Sequence, residues 1–80
     1  MENPIPLGIY IHMQSGRKYE VTNNGLDSSE YEKGKEPTQT VHFVALEEGE
    51  YPIDIIWSRT LHDFKENFCR VTEDDEVDSR

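Results

Sequence analysis

Apolar residues in this chain arrive in tight short runs rather than scattered, and the clearest of them alternate with polar residues. No stretch holds helical spacing long enough for an ordinary amphipathic helix, and no segment repeats another. That pattern points to short extended segments. From Gly8 to Met13, Ile9, Ile11 and Met13 fall on one side and Tyr10 and His12 on the other, because successive side chains of a strand point to opposite faces. Ser15-Gly16 supplies the tolerance of positive φ that a tight hairpin turn needs. From Arg17 to Thr22 the alternation resumes, with Tyr19 and Val21 on one face and Lys18 and Glu20 on the other. The segment YIHMQSGRKYEV is therefore expected to be a β-hairpin.

The stretch from Asn23 to Thr38 is dense in Asn, Gly, Ser and charge, with Leu26 and Tyr31 as its large apolar groups. It is expected to be a long loop over residues 23–38, either disordered or contacting a partner. A second hairpin spans Gln39 to Arg59, with Gly49 at the bend. Val41, Phe43 and Ala45 alternate with His42, Val44 and Leu46, and two apolar faces suggest a central, doubly covered strand. Pro52 opens the returning strand, where a missing N–H is tolerated, and Ile53, Ile55 and Trp57 share one face of it. The run RTLHDF has the composition of one helical turn, with Thr60 as its cap and Asp63 in reach. ENFCRV is the last strand. The expected fold class is all-β, a small barrel of about five antiparallel strands with one short helical turn, since closure removes exposed edges. Residues 1–72 form the single domain, and 73–80 an acidic disordered tail. So short a chain buries only about 60–65% of its unfolded surface, so its stability margin is thin.

The order of these features resembles a family of small bacterial domains of unknown function. The resemblance rests on Tyr10-x-His12, Gly16, Tyr19-Glu20-Val21, the run VHFVAL, and Trp57-x-Arg59 followed by Leu61 and Phe64. It implies an SH3-like barrel and carries no established activity. Two features depart from the family pattern: the connection over residues 23–38 is longer, and Thr60 stands where proline is expected.

Charge and motifs narrow the function classes. The net charge is −9, of which residues 73–80, with five acids and one arginine, hold −4. Phosphate backbones repel such a chain, so direct nucleic-acid binding is disfavoured. No apolar run is long enough to span a bilayer, and MENPIPLG lacks the features of a secretory signal. A soluble, cytoplasmic protein is expected. The lone Cys69 excludes an internal disulfide. His12, His42 and His62 form no close ligand pair, so no metal is expected. No nucleophile elbow or phosphate loop is present, Cys69 sits in an apolar strand, and Glu47-Glu48 falls on a turn where water levels both carboxylates. No catalytic residue and no cofactor are assigned, and the protein is expected not to be an enzyme.

Aromatic residues remain. Most must build the core, Phe43 and Trp57 foremost. If Ile9 and Ile11 face inward, Tyr10 and His12 face outward beside Lys18 or Glu20, with Arg59 nearby. Tyr10, His12, Tyr19, Glu20, Trp57 and Arg59 are thus the candidate binding residues, a polar-aromatic face able to hold a protein segment or small ligand. The same residues also suit a structural network in which Glu20 holds Arg59 or His12. The expected function is a non-enzymatic interaction module with a protein partner. The alternative is an acidic decoy occupying a basic nucleic-acid-binding groove of another protein. A homodimer is compatible with this reading, since a thin core gains from extra burial and an incomplete barrel leaves edges.

Overall fold

The computed structural model describes residues 1–71; the expected tail at 73–80 lies outside them. The elements are β1 (Gly8–His12), β2 (Lys18–Asp27), β3 (Thr38–Ala45), β4 (Ile56–Thr60), α1 (Leu61–Asn67) and β5 (Phe68–Arg70), with a 3-10 turn at Tyr31–Lys33 before β3. All pairings are antiparallel, in the order β4-β3-β2-β1-β5.

The first hairpin forms as its alternation dictates. Gly16 turns at φ 78°, and Tyr10 lies opposite Tyr19. The inward face, however, is the opposite of the expected one. Tyr10 is 6% exposed while Ile9 is 40% exposed. The reason is covering: Tyr10 shares its side of the sheet with Val21 and Phe43, and α1 lies there, placing the Phe64 ring edge-on to Tyr10 at 5.2 Å.

β2 runs well past the hairpin, to Asp27. Its register slips between Val21 and Asn23, leaving Thr22 as an extra residue. Such a bulge reverses the parity of the strand. Tyr19 and Val21 before it therefore share a face with Asn24 and Leu26 after it. At the end of β2, Asp27 accepts hydrogen bonds from the Ser29 hydroxyl and N–H at 2.6 and 2.9 Å, which hold its carboxyl below the usual range and start the turn. Residues 50–55 form a looped approach, so β4 starts at Ile56 rather than at Pro52.

The barrel expectation is corrected here. The sheet is open: β4 and β5 are its two edges and do not pair. Nor is the fold purely all-β, because the expected helical turn is a seven-residue helix. Thr60 caps it, its hydroxyl accepting from the Asp63 N–H at 3.1 Å. Asn67 donates to the Asp63 carbonyl at 2.8 Å, and Leu61 and Phe64 face the sheet. These contacts carry the helix for two turns. Four flat strand spacings would put the edges about 19 Å apart, whereas seven helical residues advance about 10 Å. The sheet therefore bends between its edges, with α1 packed against β3, β4 and β5. Phe68 of β5 accordingly reaches Phe43 of β3 at 5.4 Å and stacks on Phe64 at 4.0 Å. Tyr10, Val21, Val41, Phe43, Leu61, Phe64 and Phe68 form the core, with Ile5, Tyr19 and Trp57 packed at its margin.

Candidate functional site

The helix-bearing face of the sheet carries Tyr10, His12, Tyr19, Val21, Val41, Phe43, Trp57, Arg59 and Phe68 in register. It is covered unevenly. At one end the N-terminal segment is fastened across it. Ile5 exchanges two bonds with the Asn24 amide, at 3.3 and 3.1 Å, and Glu2 exchanges two with Gln39, at 2.9 and 2.7 Å. Lys65 of α1 donates to the Glu2 carboxylate at 2.9 Å and holds that carboxyl below its usual range.

At the other end, Tyr19 and Trp57 stay half-buried and line two adjoining depressions, of about 320 and 170 Å³. The first is flanked by Arg17, Tyr51 and Pro52, the second by His12, Arg59 and Phe68. Together they form a trough paved with rings. Tyr51 meets Trp57 edge-on at 5.3 Å, and Tyr19 meets Phe43 edge-on at 5.3 Å. The His12 ring tilts against Phe68 at 4.9 Å.

The polar groups at the rim are positioned by short bonds. Arg59 donates to Asp63 at 2.6 Å and lies over the Phe68 ring at 5.3 Å. His12 Nδ1 is hydrogen-bonded to the Ser15 hydroxyl at 2.8 Å. Arg17 donates to the Glu47 and Glu48 carbonyls at 3.0 and 3.3 Å, pinning the turn that carries Tyr51 toward the trough. Gly49 permits this approach: a Cβ there would stand 2.6 Å from the Arg17 guanidinium.

Of the six residues expected to form the site, His12, Tyr19, Trp57 and Arg59 meet at the trough. Tyr10 shares their face but is buried, donating its hydroxyl to the Pro6 carbonyl at 2.8 Å; burial raises its phenol pKa. Glu20 lies opposite Ile9 and so belongs to the other face. The carboxylate that holds Arg59 is Asp63, not Glu20. Sequence reasoning also passed over Tyr51, Arg17 and Phe68. The i,i+4 spacing of Arg59 and Asp63 was a usable signal. The reach of Arg17 across thirty residues to Glu47 was not.

The other histidines sit apart. His42, on the opposite face, lies beside Gly25 and bonds Asn23 and Thr40, each at 3.2 Å; His62 is exposed beside Glu66. Among the described residues no cluster of His, Cys, Asp and Glu is placed to hold a metal, and no helix is long and apolar enough to cross a membrane.

No family model, no curated protein and no solved structure matches the chain. The resemblance to a family of SH3-like barrels is therefore set aside, because the sheet it implied should close and this one does not.

Proposed function

We propose that this chain is a non-enzymatic interaction module that holds an extended protein segment in the trough over Tyr19 and Trp57. The observation that carries the reading is the uneven covering of one sheet face, which leaves half-buried rings in a shallow trough rather than sealed in the core. Rigid aromatic side chains offer large contact area at low entropic cost, and recognition grooves for extended peptides are built from them. The rim adds direction. Arg59 uses one nitrogen on Asp63, so other guanidinium N–H groups are available to a peptide carbonyl.

The test uses random dodecapeptides displayed on phage, selected on the full chain. Binding of selected sequences is then followed by the emission of Trp57, the single tryptophan. Tyr51→Ala should weaken binding at least tenfold with an unchanged circular-dichroism spectrum, and Tyr31→Ala, on the remote 3-10 turn, should not. Binders that leave Trp57 emission unaltered and ignore Tyr51→Ala would overturn the reading.

A second reading, the acidic decoy, draws on Glu47, Glu48 and Glu50, exposed on the turn that Arg17 pins. It requires that binding to a basic partner fall steeply with salt, whereas ring-mediated capture should change little.

A further inference from the structure

We propose that the outer edge of β4 pairs antiparallel with the same edge of a second copy of this chain, about a two-fold axis through Ser58. β4 pairs only with β3. Among the described residues, no backbone bond outside that ladder reaches Ile56–Thr60. Exposed edges are commonly guarded by proline, lysine, a bulge or short length. The other edge, β5, is three residues long and ends on exposed Arg70. β4 has five residues, no proline, no lysine and no register shift against β3. Its one charge, Arg59, is turned inward onto Asp63 and Phe68 and so does not guard the edge. The chain also enters this edge through exposed isoleucines: Ile53, Ile55 and Ile56 are 45%, 40% and 67% exposed.

The side-chain order makes the edge self-complementary, as a two-fold contact requires. Centring the pair on Ser58 uses all five residues of IWSRT. Trp57 then stands across from Arg59 of the second copy, and Ile56 across from its Thr60, each twice. Trp57 and Arg59 lie on the trough side of β4, so each indole packs along the apolar stem of the neighbour's Arg59, whose guanidinium keeps its bond to Asp63. The two troughs then lie side by side across the axis. This inference is independent of peptide capture: the edge can pair whether or not the trough is occupied.

Five residue pairs make a small interface, so the dimer should be weak and lost on dilution. Sedimentation velocity of the full chain between about 10 µM and 1 mM, in about 0.15 M salt to screen repulsion between acidic chains, should show a reversible monomer–dimer shift. Ser58→Lys places like charges opposite each other at the axis and should restore the monomer. In a Cys69→Ala background, Ser58→Cys should form a disulfide-linked dimer on mild oxidation much faster than Ile56→Cys, which lies away from its own mate in this register. A wild-type chain that stays monomeric throughout overturns the proposal. So does a dimer that survives Ser58→Lys, or equal cross-linking from both cysteines. If Ser58→Lys fails to fold by circular dichroism, the cysteine pair decides.

Discussion

The two ends of the helix-bearing sheet face are built from the same strands and end differently. At one, α1 and the N-terminal segment lie over Val21, Val41 and Asn24, and the side chains there are sealed or hydrogen-bonded. At the other, the same rows continue through Tyr19 and Trp57 with only the 46–55 turn beside them, and the rings remain half-open. A strand presents a face along its whole length, but a seven-residue helix covers only part of it. Core and trough are thus one aromatic surface divided by the reach of α1.

That division can be tested by substitution on either side of it. Phe64 stacks on Phe68 and touches Tyr10 and Phe43, so Phe64→Ala should cost about 3–5 kcal/mol in urea unfolding. In so small a domain that loss should unfold much of the population. Next in size, Thr60→Ala removes the α1 cap and should cost about 1 kcal/mol, read as a lower urea midpoint. On the open side, Tyr51→Ala should change stability by less than about 0.5 kcal/mol, since the residue is 58% exposed; a larger loss would show that the trough is part of the core.

The smallest effect concerns the Glu2–Lys65 tie at the closed end. The Glu2 carboxyl is held below its ordinary value of 4.5, first by the Lys65 hydrogen bond. A lowered folded pKa means the tie contributes above that ordinary value and is lost as pH falls through the folded one. In Lys65→Met, NMR titration should return the Glu2 carboxyl toward 4.5. A carboxyl that titrates at its ordinary value in the unaltered chain would show that the N-terminal segment is not fastened there.

How far these features were legible varies residue by residue. The alternation of Ile9, Tyr10 and Ile11 located β1, and Gly16 located its turn, because strand period and positive φ are local properties. Which face turned inward was not legible. Ile9 and Tyr10 can each be buried, and the choice waited on where Phe64 landed. The bulge at Thr22 hid the second half of β2, since the reversal of parity makes Asn24 and Leu26 look out of phase with Val21. The cap of Thr60 on Asp63 was legible as a spacing, but the second turn of α1 depended on Asn67 and on burial of Phe64. Of the site, Tyr19, His12, Trp57 and Arg59 were visible as residue types on alternating strands, while the burial of Tyr10 and the far side of Glu20 were not.

By itself, the sequence determined β1, the first half of β2, β3, the first hairpin turn and the helix start, all of which follow from interactions within a few residues. Only the tertiary structure decided that the sheet stays open, that Tyr10 is core, and that Tyr51 joins Trp57. Those outcomes depend on contacts between residues far apart in the chain, such as Phe64 with Tyr10 and Arg17 with the Glu47 carbonyl, and no local pattern encodes them.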